Sequence, residues 1–153
     1  MNRDPRPFEL EINTLGYYVN RVFATLIRLL NKELKASNLN LQHSDFTILK
    51  VLNEVGHASQ SEIATFLGKE RSGISRSLTS LEKEGFIKRE PVDGKTNSVS
   101  LSERGKEILP LINEIADRVT EKAFKGFSKN SSAAMIKNLN RIYHNTLREI
   151  EER

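Results

Sequence analysis

The sequence contains no cysteine, which excludes disulfides, thiolate metal sites and thiol-based redox sensing. No apolar run reaches the length of a membrane span. The opening Met1-Asn2-Arg3-Asp4-Pro5-Arg6-Pro7 is polar and proline-broken, where a secretory leader would carry an apolar stretch. A cytoplasmic protein without a membrane partner is therefore expected. Internal repeats and low-complexity tracts are also missing, and no serine stands in a recognisable nucleophile motif. Gly94-Lys95-Thr96 resembles the end of a phosphate-binding loop, but Arg89 occupies the place of the first glycine that such a loop needs. Glu54 and His57 have the spacing of bundle metal ligands, yet Gly56 breaks the helix between them, and His43 and His144 are isolated. No enzyme, metal or cofactor is implied.

What is present is a chain of 153 residues with net charge +4 and a pI near 9.4, which fits one domain and favours an anionic partner. From Phe8, the residues Ile12, Leu15, Val19, Val22, Leu26 and Leu29 recur at steps of four and three, a heptad seam. The spacing predicts a helix from Phe8 to about Ala36, roughly 43 Å long at the standard rise, so part of it must pack on something beyond its own domain. A second helix carries Phe46, Leu49 and Leu52 and closes at Gly56. Ser59 and Glu62 form a capping box that opens a third helix ending at Gly68. A fourth has Ile74, Leu78 and Leu81 as its inward stripe and ends at Gly85.

Phe86 to Arg89 then reads as a strand, Pro91 to Asn97 as a turn and Ser98 to Leu101 as the returning strand. Ser102 caps a fifth helix with Ile108, Ile112, Ile115 and Val119 on one face and a bend expected at Pro110. A break over Gly126 to Ser132 precedes a last helix striped by Met135, Leu139, Ile142, Thr146 and Ile150. The expected fold is mainly α with a small β-hairpin wing, a winged helix-turn-helix framed by long terminal helices. Residues 1–38 are expected to form an N-terminal dimerisation helix, 39–104 the winged helix-turn-helix DNA-binding lobe and 105–153 the C-terminal dimerisation helices, in one intertwined domain. Dimer contacts are expected from Phe8, Ile12, Leu15, Ile115, Val119, Leu139, Ile142 and Ile150.

Two short helices followed directly by a hairpin with a polar, glycine-containing tip are the parts of a DNA reader whose second helix enters the major groove. The side opposite the inward stripe carries Arg71, Ser72, Ser75, Arg76 and Thr79. Arginine can pair bidentately with a guanine edge, and the hydroxyls can bond bases or phosphates, while Gly73 permits close approach. Phosphates are expected at the helix N-termini near Ser59 and Glu70, assisted by Ser61 and Lys69. Arg89, Lys95 and Thr96 would extend that surface along the wing. The competing reading is a winged-helix module that binds protein or structured RNA without operator specificity.

The ordered set Glu62-Ile63-Ala64, Leu67-Gly68, Ile74-Ser75-Arg76, Leu81-Glu82-Lys83-Glu84-Gly85-Phe86-Ile87, Arg89, Asp93 and Val99-Ser100-Leu101-Ser102-Glu103-Arg104-Gly105 resembles the MarR family of regulators. The resemblance is specific from about Leu41 to Gly105 and looser elsewhere. It implies a homodimer with interleaved terminal helices, a pseudo-palindromic double-stranded DNA operator, and repression relieved by a small-molecule effector such as an anionic aromatic or phenol. Tyr17, Tyr18 and Arg21 are the candidate effector contacts. One departure concerns the wing: the family places one or two arginines just after the aspartate, and here Asp93 is followed by Gly94 and Lys95. Lysine suits a narrow minor groove less well, which implies weaker or less selective wing contacts.

Overall fold

A computed structural model describes residues 14–94 and 96–152. The elements run α1 (Leu15–Ala36), α2 (His43–Val55), β1 (His57–Ser59), α3 (Gln60–Leu67), α4 (Arg71–Lys83), β2 (Ile87–Asp93), β3 (Thr96–Leu101), α5 (Glu103–Ala123) and α6 (Lys129–Glu151). They fall into two compact units, one up to Val119 and one from Thr120.

In the first unit, Leu34 of α1, Ile48, Leu49 and Leu52 of α2, Ile63 of α3, Leu78 and Leu81 of α4, and Ile112 and Ile115 of α5 are fully buried in one core. Burying a side chain of this size contributes about 1.5–3 kcal/mol relative to exposure. The boundaries follow local chemistry. Gly56, Gly68 and Gly85 all take positive φ, the conformation that glycine reaches without Cβ strain, and end α2, α3 and α4 as the sequence predicts. At the start of α3, Glu62 N donates to Ser59 Oγ at 3.2 Å and Ser59 N donates to Glu62 Oε2 at 2.7 Å, the expected reciprocal box.

Five expectations change. Thr14 is extended and caps α1, with Tyr17 N donating to its Oγ1 at 3.4 Å, so the helix does not run unbroken from Phe8; Phe8 and Ile12 themselves lie outside the described residues. The hairpin is part of a three-stranded antiparallel sheet of order β1-β3-β2, in which β1 pairs His57 with Ser100. The turn is tighter than Pro91 to Asn97: both are paired, and the ladder closes at Asp93 and Thr96 after a register shift. Pro91 is tolerated because β2 is an edge strand. Next, α6 begins earlier than expected, at Lys129, where Ser131 N donates to Ser128 Oγ at 3.1 Å. Finally, Ile115 and Val119, expected among the dimer contacts, are buried in the chain's own core.

Two junctions tie the helices to the small sheet and to one another. Ser102 Oγ donates to Gly85 O at 2.6 Å and accepts from Gly105 N at 2.9 Å, so one hydroxyl joins the end of α4 to the start of α5. Gly105 is buried there, and a Cβ at that position would run into the Phe86 carbonyl oxygen, which already accepts from Ser102 N. At the other junction, His43 N donates to Asn31 Oδ1 of α1 at 2.8 Å and its ring meets Phe23 edge-on, centroids 5.7 Å apart. Partial burial, then the Lys69 charge, hold the His43 imidazole below its ordinary value of 6.5.

Gly105→Ala is expected to lower stability by about 1–3 kcal/mol, read as a lower thermal midpoint, because the clash is with backbone and cannot be relieved by a rotamer. An unchanged midpoint would show that the α4–α5 junction is looser than described. For His43, the depressed value means that the folded state prefers the neutral ring. Its contribution is present above 6.5 and is lost as pH falls below that value. Thermal melts from about pH 7.5 to 5 should therefore fall less steeply for His43→Gln than for the wild-type chain. Parallel curves would remove His43 from the acid response.

Candidate nucleic-acid interface

The outward side of α4 is set by its inward side. Ile74, Leu78 and Leu81 are buried, and at about 100° per residue this leaves Ser72, Arg76 and Thr79 on the opposite, exposed side. Arg71 is exposed at the first turn, and Ser75 is half-buried at the edge of the stripe. The helix is anchored laterally by Ser77 Oγ, which donates to Ser44 Oγ of α2 at 3.1 Å, and at its start by Gln60 Nε2, which donates to Arg71 O at 3.3 Å. Among the described residues, neither Arg71 nor Arg76 has an ion-pair partner. Two guanidinium groups thus stand on the surface with no ion pair among the described residues. Gly73 has nothing within 4 Å of where a Cβ would lie, so its lack of a side chain serves no internal contact.

The two helix N-termini differ. At α3 the capping box engages the Ser59 and Glu62 amides, and those bonds hold the Glu62 carboxyl below its ordinary value. A carboxylate at that end competes with an incoming phosphate, although Ser61 is exposed beside it. At α4 the N-cap Glu70 makes no side-chain capping bond, and Lys69 is exposed next to it. The first-turn amides of α4 are therefore free of a side-chain cap, although Glu70 places a carboxylate at this end as well. Gly68, left-handed, turns the chain between them, with Lys69 N donating to Ala64 O at 3.0 Å.

Arg89 and Thr96 line a polar cleft of about 240 Å³ between the start of α3 and the sheet, with Ser59, Gln60, Ser61 and Asn97. The wall of the cleft is made of hydroxyls and amides together with Leu78 and Val99. Arg89 is not a free cation, however: its Nε lies 3.2 Å from Glu82 Oε2 and its Nη2 donates to Thr79 Oγ1 at 3.3 Å. That engagement was not foreseen, since nothing in the spacing of Thr79, Glu82 and Arg89 shows that β2 returns alongside α4. Gln60 and Asn97 were missed for the same reason. At the wing tip, Asp93 Oδ1 accepts from Thr96 N at 2.7 Å and fixes the turn. Lys95 lies outside the described residues. His57, weighed with Glu54 as a metal ligand, is on β1, and no group of three or more potential ligands occurs among the described residues.

On α1, Tyr17 and Arg21 meet one turn apart: Arg21 Nη1 donates to Tyr17 Oη at 2.9 Å, and the guanidinium carbon is 5.4 Å from the ring centroid. Tyr18 contacts the Tyr17 ring edge-on and is 52% exposed. Leu15, Val19 and Val22 are also exposed along this part of α1. On α6, Leu139 and Ile150 are exposed and Ile142 is half-buried. No helix among the described residues is long and apolar enough to cross a membrane.

Residues 38–95 match the family model described as "MarR family". An uncharacterized HTH-type transcriptional regulator from Bacillus cereus (strain ZK / E33L) is 36% identical over 102 residues, 63% of this chain and 67% of that protein. A crystal structure of MarR superposes with a TM-score of 0.85 at 25% identity, covering 95% of this chain and 99% of that one. The E. coli MarR mutant C80S complexed with operator DNA shares the fold with a TM-score of 0.71 at 21% identity, over 84% of this chain and 92% of that one. With the winged helix-turn-helix in place and these similarities beside it, the chain belongs to the MarR family of transcriptional regulators.

Proposed function

We propose that the chain acts as a homodimer that binds a pseudo-palindromic double-stranded DNA operator in the cytoplasm and represses transcription by occupying it. It does so by binding alone, with no catalytic step. The observation that carries this reading is the exposed surface of α4, where Arg71 and Arg76 have no ion-pair partner among the described residues and stand beside Ser72 and Thr79. Arg76, opposite the buried stripe, reads a base edge, and Ser72 and Ser75 assist it. Lys69 at the start of α4, Ser61, and Lys95 and Thr96 at the wing take phosphates, which set register and give affinity its salt dependence. The MarR mutant with operator DNA supports this use of the fold.

Dimerisation through the terminal helices is supported by the exposed apolar residues Leu15, Val19 and Val22 on α1 and Leu139 and Ile150 on α6, a density that a lone chain seldom leaves in water. Phe8, Ile12 and Ile142 belong to the same proposed contact. The functional division into residues 1–38, 39–104 and 105–153 follows from it. The Tyr17–Arg21 pair, with Tyr18 beside it, offers a cation, a phenol and a ring face, which suits a small anionic aromatic effector. Such a ligand releases DNA only if it favours a spacing of the two α4 helices that does not fit the operator.

The test is competition binding of the purified chain to the duplex upstream of its own gene and to duplexes drawn from an unbiased selection, with scrambled competitor present. Arg76→Ala should cost about 1–3 kcal/mol against the preferred duplex and relax the preference at one base pair per half-site, leaving binding to scrambled duplex nearly unchanged. Equal weakening on every duplex would reassign Arg76 to a phosphate. Binding that never distinguishes any duplex would favour the protein- or RNA-binding module instead.

A further inference from the structure

One side chain joins the wing to the recognition helix. Arg89 on β2 donates from Nη2 to Thr79 Oγ1 at 3.3 Å, and its Nε lies 3.2 Å from Glu82 Oε2. The Arg89 side chain is only 22% exposed, and Nε is closed off from solvent without a hydrogen-bond partner, so the Glu82 carboxylate is the charge that balances it. Thr79 and Glu82 are three residues apart on α4 and so lie on neighbouring turns of one face. The Thr79 hydroxyl is itself engaged, since it donates to the Ser75 carbonyl at 2.9 Å. A hydroxyl has one proton and two lone pairs. With the proton on Ser75 and one lone pair facing Arg89, Thr79 keeps one accepting lone pair and its methyl group.

We propose that Glu82 is a positioning residue for DNA reading: it holds Arg89 against Thr79, so that wing and recognition helix meet the duplex as one piece and Thr79 presents an acceptor and a methyl to the groove. An acceptor suits the amino group of adenine or cytosine, and a methyl suits the thymine methyl; a donating hydroxyl would suit guanine. The inference rests on the operator-binding reading. It also runs against simple electrostatics. A carboxylate 46% exposed beside a DNA-reading helix repels phosphates, so charge alone says that removing it tightens binding to every duplex. The positioning role gives the opposite sign.

The experiment uses the full chain, with Glu82→Gln, Glu82→Asp, Arg89→Ala and the Glu82→Gln/Arg89→Ala pair, each checked by thermal melting. Each is titrated against an operator taken from an unbiased duplex selection and against versions of it altered at the base pair whose preference Thr79→Ala abolishes. Glu82→Gln is expected to bind the operator about tenfold more weakly and to lose preference at that base pair. Glu82→Asp, which keeps the charge, should restore most of the preference, and the double variant should be no weaker than Arg89→Ala alone. Binding by Glu82→Gln that is equal or tighter with the preference kept overturns the proposal, as does full additivity with Arg89→Ala. Loss of affinity for all duplexes in equal measure, with no change of preference, also overturns it, and Glu82→Asp supplies this comparison should Glu82→Gln melt early. A wild-type chain that prefers no duplex overturns the operator reading and this inference together, whereas a selective wild-type chain with an indifferent Glu82→Gln overturns this inference alone.

Discussion

The rotation of α4 about its own axis is the constraint on which the rest depends, and three buried side chains set it. Ile74, Leu78 and Leu81 pack into the core shared with α2, α3 and the sheet, so the opposite side of the helix can only be the one bearing Ser72, Arg76 and Thr79. Replacing any of the three by alanine would remove about 2–5 kcal/mol and let the helix roll. The lateral anchors, Ser77 on Ser44 and Gln60 on the Arg71 carbonyl, add little energy by comparison, but they fix the helix along its axis. Which side of α4 faces outward is thus decided inside the protein.

Charge is arranged on the same logic. Among the described residues, Arg71 and Arg76 have no ion-pair partner, which costs little at an exposed site. Arg89 is treated differently: largely covered and balanced by Glu82, it works as a strut between β2 and α4. Among the described residues, two arginines of α4 are thus left without an ion pair, while a third, on β2, is held against that helix by Glu82.

Much of this was legible in the sequence because it rests on local chemistry. The glycines at 56, 68 and 85, the Ser59–Glu62 box and the four-three spacing of the α4 stripe each act within a few residues, and each is where it was expected. What escaped depends on contacts between segments. The strand His57–Ser59 is three residues long and carries no alternation, so it exists only because β3 lies beside it. Periodicity placed Ile115 and Val119 on one face but could not say whether that face meets the chain's own core or a partner. The first heptad seam read across Thr14, whose side chain caps a helix that begins after it. In the interface, Arg89 looked like another free cation because its partner, Glu82, is brought to it by the register of the hairpin.

The central claim is that two copies of this chain read one duplex through two copies of α4. The most direct measurement is binding to palindromic duplexes whose half-sites are moved apart in single base-pair steps, with the number of chains per duplex determined at each step. The account predicts two chains bound per duplex and one affinity maximum with half-site centres about one helical turn, 10–10.5 base pairs, apart, falling sharply when half a turn is inserted. Affinity indifferent to the spacing, or one chain bound per half-site without regard to the other, would contradict it.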